Sequence, residues 1–238
     1  MKRFVLLALF AVLLFFTLVA NADSLYFYGG DFDPNNPNAN GLANETDAII
    51  GGNPYGAAVY QNFYVTNFDF IVTELFTNNL SQLTPSAGYW EIRSGVSAGY
   101  GGTLIASGTR SVTNIPTLRT GFGYTEFTNT IYGLNVPLAP GEYWFTVVPV
   151  CTSCAGRSFE SNTFGLNSVG TSQANEQYAN SPFFGANFAN ANQDGVFPNF
   201  SAGVYATWGA AVTPEPSSLA LLGTGILGLA ATVRRKLF

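Results

Sequence analysis

No stretch between Ala57 and Trp208 sustains a helical period, and that absence constrains the fold more than any other feature of the chain. Short runs of alternating or β-branched and aromatic residues end, one after another, at Gly, Pro, Asn or Ser. That combination favours sheet, because such side chains pack well on a pleated surface and such turn residues reverse the chain. Ser24–Tyr28 reads as a first strand. Ala57–Val65 and Phe68–Phe76 follow, the latter with Phe68, Phe70 and Val72 on one face. Tyr89–Arg93, Thr103–Ser107 and Phe122–Tyr132 read as further strands. Pro140-Gly141 is a turn signal that opens Glu142–Val148. The stretch 158–193 is rich in Asn, Ser and Gly and predicts long loops with short strands, and Gly203–Trp208 closes the series. Roughly ten strands with frequent turns point to an all-β fold, an antiparallel β-sandwich that is jelly-roll-like rather than a barrel.

The two ends differ from this core. Lys2 and Arg3 precede the apolar run Phe4–Ala20, and Ala20-Asn21-Ala22 fits the A-x-A pattern of signal peptidase, which predicts Asp23 as the mature N-terminus. At the other end stand Pro214, Glu215 and Pro216, then an apolar run from Leu219 to Val233, then Arg234, Arg235 and Lys236. As a helix the run of 15 residues spans about 22 Å, short of the roughly 30 Å of a bilayer core. It is a marginal single membrane helix. The basic end would stay cytoplasmic, leaving the core on the exported side of the inner membrane. The expected organisation is a signal peptide over 1–22, a β-sandwich domain over 23–211 and a tail over 212–238.

Charge narrows the partners. Between Asp23 and Thr213 stand four arginines and no lysine against 13 acids, a balance of −9. Such a surface repels phosphate backbones and argues against nucleic acid, while suiting cations or neutral sugars. There is no histidine, so the commonest general base and metal ligand near neutral pH is missing. That disposes of Gly95-x-Ser97-x-Gly99 as a hydrolase nucleophile elbow, which also needs a strand-to-helix turn. Gly223-x-Gly225-x-x-Gly228 lies inside the apolar tail with only ten residues after it, too few for a dinucleotide-binding unit. Small residues of a membrane helix account for it better.

Three weaker patterns remain. Asp31-x-Asp33-x-Asn35 resembles the start of a calcium loop, where alternate side chains supply oxygen ligands. The match fails at the sixth and twelfth positions, Asn36 and Leu42, so a solvated Pro/Asn turn stands beside calcium as the other reading; Glu45 and Asp47 could contribute from further on. Cys151 and Cys154 are the only cysteines and in an exported protein read as a local disulfide. Glu74, Glu91, Glu126 and Glu142 fall on expected strands, by default at solvent-facing positions, and glycoside hydrolysis would need two of them facing across a cleft. Tyr89, Trp90, Tyr143 and Trp144 could form a sugar-stacking platform, but alternation along a strand sends at least one of each pair to the core.

The Pro-Glu-Pro turn, the short Gly/Leu-rich run and the Arg-rich end together resemble the PEP-CTERM sorting signal of Gram-negative bacteria. The resemblance covers the tail, Thr213 to Phe238. It implies processing by exosortase, a membrane cysteine transpeptidase, after an inner-membrane intermediate, and delivery to the cell surface or an exopolysaccharide matrix. The core, with W-E-I-R-S-G-V-S-A-G-Y-G-G-T-L and P-G-E-Y-W-F, is similar to uncharacterised exported cargo domains, and that similarity implies no activity. The expectation is therefore a non-enzymatic exported surface or matrix protein associated with exopolysaccharide or biofilm, with no required cofactor. A carbohydrate-binding module is the alternative, and a carboxylate-dependent glycoside hydrolase or lyase stands behind it.

Overall fold

In the computed structural model the described residues are 23–47, 56–151, 156–172, 176–192 and 197–208. The expected signal peptide, Cys154 and the whole sorting tail, Pro214, Glu215, Pro216, Leu219, Val233, Arg234, Arg235 and Lys236 included, lie outside them.

Two sheets of antiparallel pairs, with one parallel contact, are present among the described residues, and no helix is. One sheet holds β1 (Ser24–Tyr28), β2 (Gly41–Ala43), β5 (Phe70–Ser81), β8 (Thr113–Gly121), β9 (Tyr124–Ile131), β10 (Val136–Leu138), β12 (Ser158–Thr163), β15 (Asn199–Phe200) and β16 (Ala202–Trp208). The other holds β3 (Thr46–Asp47), β4 (Ala58–Val65), β6 (Ala87–Ser94), β7 (Thr103–Ser111), β11 (Gly141–Cys151), β13 (Tyr178–Ser181) and β14 (Ala186–Asn190). The parallel contact is β3 on the end of β11. The chain leaves one sheet for the other repeatedly, so neighbours come from distant sequence. The first strand, β1, pairs with the last, β16.

The sheets face each other across one core, in a sandwich-like arrangement. Val72, Leu75 and Val204 from the first sheet meet Ile92, Phe145 and Val147 from the second. Phe27 bridges them, 6.2 Å from the Phe63 ring and 6.3 Å from Phe145. Burying each such ring contributes about 1.5–3 kcal/mol.

Several expected strands have other limits, for local reasons. The strand expected from Phe68 begins at Phe70, because Asp69 takes a left-handed turn (φ 56°) and Phe68 points out, 78 % exposed. Asp tolerates that conformation better than most residues. Phe70 and Val72 do share the core face. β8 is not expected from the sequence: it is an edge strand of exposed and half-buried residues without apolar alternation, and it contains Pro116, which only an edge tolerates. Its pairing with β9 skips between Pro116 and Thr120, where Leu118 (φ 71°) protrudes at 91 % exposure.

Candidate functional site

A break in alternation positions a depression on the outer face of the nine-stranded sheet. In β1, Leu25 pairs with Tyr205 and Phe27 with Val204, so Tyr26 is an extra residue, a β-bulge. Tyr26 and Phe27 therefore both reach the core. Leu25 and Tyr28 both reach the outer face, where they border an open depression of about 380 Å³.

The floor of that depression is Phe76, on β5. Its ring lies over β16 at Gly203, where a Cβ would stand 2.3 Å from the ring. Only glycine leaves room there. Tyr28 flanks Phe76 at 5.6 Å and 42°, and Tyr205 flanks it at 6.0 Å and 50°. Tyr132, beyond β9, stands at the border and is 47 % exposed.

The polar groups divide into two sets. At one end a closed network holds Tyr28 and Asn78. The Tyr28 hydroxyl donates to Asp31 Oδ1 at 2.6 Å, and Asn78 Nδ2 donates to that hydroxyl and to Ser201 Oγ. Thr128 donates to Asn78 Oδ1. Arg119 donates to Asp31 Oδ1 at 2.7 Å and to Glu126 Oε2 at 2.5 Å. Burial works to raise the Asp31 carboxyl, but hydrogen bonds from Tyr28 and Asn167 and the Arg119 charge outweigh it and hold it below the ordinary value. Burial opposes the Arg119 charge, and Glu126 outweighs that and raises it. At the other end, Glu74 and the hydroxyls of Tyr132 and Tyr205 make no side-chain hydrogen bond among the described residues. Burial, then the nearby Asp23, raises the Glu74 carboxyl.

The four aromatics singled out from sequence stand elsewhere. Trp90 and Trp144 are core, and Tyr143 is packed against the core. Tyr89 packs on a smaller buried cluster that includes Tyr60, Trp144, Val148, Tyr178 and Phe188, with its hydroxyl on Glu91. None forms a platform on the open face. Tyr28, Phe76, Tyr132 and Tyr205 take that place, and of these only the alternation of Tyr205 with Val204 and Ala206 could have pointed to it.

Two of the four strand glutamates are not solvent-facing. Glu91 is buried on the outer side of its sheet, beneath Phe188, bonded by Tyr60, Tyr89 and Arg93. The Arg93 guanidinium lies 5.3 Å from the Phe188 ring centre. Glu126 is fully buried between Arg119, Thr117 and Ser161. The backbone keeps the four apart. Glu126 lies opposite Leu80, six positions from Glu74 on β5 and so about 20 Å along the strand. Glu91 lies opposite Thr146, four positions and about 13 Å from Glu142 on β11. Glycoside hydrolysis works across about 5–10 Å. Asp31 and Glu126 do meet, but around Arg119.

Of the calcium candidates, Asp31 has both oxygens engaged, Oδ2 by Asn167 at 2.7 Å. Asp33 Oδ1 accepts the Asn35 backbone N–H at 2.9 Å, an ordinary turn contact. Glu45 is buried and paired with Arg157 at 2.6 Å. No group of three or more His, Cys, Asp or Glu that could hold a metal ion occurs among the described residues. Cys151 is disulfide-bonded. No helix among the described residues is long and apolar enough to cross a membrane.

Residues 212–236 match the PEP-CTERM protein-sorting motif. The chain carries an exosortase sorting signal. The PEP-CTERM motif marks it as an exported protein with a membrane-anchored intermediate. No curated protein matches the chain. Among solved structures it is similar to the cysteine protease and lectin-like domains of Cwp84, a surface layer associated protein of Clostridium difficile. That likeness has 13 % identity and a TM-score of 0.43 over 65 % of this chain. It spans 33 % of the length of the Cwp84 chain.

Proposed function

We propose that the protein is a non-enzymatic cargo of the exosortase system, exported by a signal peptide over 1–22 and placed at the cell surface or in the extracellular matrix in association with exopolysaccharide or biofilm. The observation that carries this reading is the motif over 212–236. Signal peptidase and exosortase are the processing partners, and the short Leu219–Val233 run is the temporary hold on the inner membrane. Three of the four buried glutamates, Glu91, Glu126 and Glu45, are each tied to an arginine, and the fourth, Glu160, is fully buried and bonded to Asn44, which supports the absence of activity. No nucleic acid is expected. No cofactor is assigned, and calcium followed by a chelator is expected to leave the melting temperature unchanged.

The test is in cells. Replacing Pro214, Glu215 and Pro216 with alanine, or deleting the exosortase gene, should leave a larger form in the inner membrane, and the wild-type chain should reach the surface in a smaller form. Equal mass and equal distribution in all three would overturn the reading. A second reading, a carbohydrate-binding module, is favoured by the aromatic depression beside β16.

A further inference from the structure

We infer that the depression on the outer face of the nine-stranded sheet is a binding site for a neutral polysaccharide, holding a short stretch of its sugar rings against Phe76, Tyr28 and Tyr205. This deepens the polysaccharide association proposed above and rests on it, but it is independent of how the tail is processed.

Shape and composition come first. The volume of about 380 Å³ falls in the range of roughly 300–1,000 Å³ usual for small-ligand sites. Such sites combine an apolar floor with a few polar groups that fix orientation. Here the floor is Phe76, and Tyr28 and Tyr205 flank it at tilts of 42° and 50°. A pyranose ring presents C–H groups on its faces and hydroxyls at its rim, so it stacks on an aromatic face while its rim seeks donors and acceptors. Glu74 and the Tyr132 and Tyr205 hydroxyls are the groups at this site that no described side chain engages. They are free for that rim.

Rigidity comes second. Asn78 and the Tyr28 hydroxyl are held by Ser201, Thr128 and Asp31. Phe76 lies over Gly203, which has no side chain to displace it. The site is preorganised, so binding would order few groups and lose little free energy to ordering.

Charge selects among glycans. The cation at the depression, Arg119, is matched by both Asp31 and Glu126. Glu74 and the nearby Asp23 add negative charge. An anionic polysaccharide would meet net repulsion, and a neutral one would not.

The full chain, extracted in detergent with its tail attached, should be retarded in native gels containing at least one of a neutral glucan, mannan, xylan or galactan. It should pass unretarded through anionic alginate. Tyr205→Ala should weaken that retardation about tenfold, the loss typical of removing one central aromatic contact, and Tyr132→Ala, at the border, should weaken it by a smaller but measurable factor of about three. Phe183→Ala, at an exposed aromatic on a different loop, should change nothing. Tyr132 is half-exposed, so its variant keeps the test valid where Tyr205→Ala unfolds. Retardation by none of the four neutral polymers, retardation by alginate alone, or equal retardation of wild type and Tyr132→Ala would each overturn the site. So would a wild-type oligomer that Tyr132→Ala dissociates, which would give the face to a second copy of the chain. Loss of binding with normal surface delivery would sink this site and leave the sorting reading standing. The converse result would sink sorting alone.

Discussion

Glu126 and Glu160 are both fully buried in the same sheet, yet the protein treats them in opposite ways. Glu126, on the outer side, has an arginine, a serine and a threonine around it. Glu160, on the β12 side toward Asn44 and Val147, is paired with no cation among the described residues. Its Oε2 accepts from Asn44 Nδ2 at 2.9 Å, and its Oε1 has no partner. Burial alone drives its carboxyl well above the ordinary range. One carboxyl is held against a guanidinium, and the other is pushed by burial toward its neutral form. The difference lies in neighbours, since both residues are equally removed from water.

The most direct way to break this comparison is to take the cation away. Arg119→Ala leaves Glu126 buried without its guanidinium partner. The chain should lose about 3 kcal/mol, the low end for a broken buried pair because the Arg119 side chain is 25 % exposed. Urea unfolding that matched wild type would mean that the Arg119 pair contributes nothing to the burial of Glu126.

The next effect is one of pH. The folded chain keeps the Glu160 proton where the unfolded chain has released it. Stability is therefore fullest below about pH 4.3, the ordinary glutamate value, and falls as pH rises toward the folded value. The slope can reach about 1.4 kcal/mol per pH unit for one proton. Glu160→Gln should remove it, and unfolding curves between pH 5 and 8 that keep the slope would locate it elsewhere. Asp31 works the other way: its lowered carboxyl stabilises above the ordinary aspartate value of about 3.9 and ceases to as pH falls through the folded value.

Arg157→Ala sharpens the contrast at a wetter place. It removes the partner of buried Glu45, but the Arg157 side chain is 39 % exposed, so water already screens the pair. It also loses a stack on Phe159 at 5.0 Å. A cost of about 1 kcal/mol is expected in thermal melts, and a loss equal to that of Arg119→Ala would show that exposure does not grade these pairs. Least of all, Tyr132→Ala should shift stability by under about 0.5 kcal/mol, because the residue is half-exposed.

These charges mark where reading the sequence ran out. β1, β4 and β16 were legible to within a residue at each end, because their β-branched and aromatic runs stop at clear turn residues, while β11 runs on to Cys151, three residues past its expected end. The burial of Glu91 and Glu126 was not legible. It depends on covering elements, Phe188 for one and the β8 edge with Arg119 for the other, that only the fold brings near. The same holds for the aromatic face. Tyr28 points outward because of the bulge at Tyr26, and strict alternation would have sent it inward with Tyr26. Phe76 is 8 % exposed and reads as core, although it floors a surface depression. The sorting signal was legible because its recognition resides in a short contiguous segment.

The pairing of β1 with β16 has a consequence for manufacture. Ser24 hydrogen-bonds into the sheet opposite Ala206, so the first strand to cross the membrane waits for the last. Nearly the whole domain must be translocated before its opening strand has a permanent neighbour, and closing so long a loop is slow. Until then β1 offers an unpaired edge and four apolar or aromatic side chains to solvent. A chain stalled a few residues short of Trp208 should therefore be a target for chaperones and proteases, and the sheet serves as its own check that export is complete.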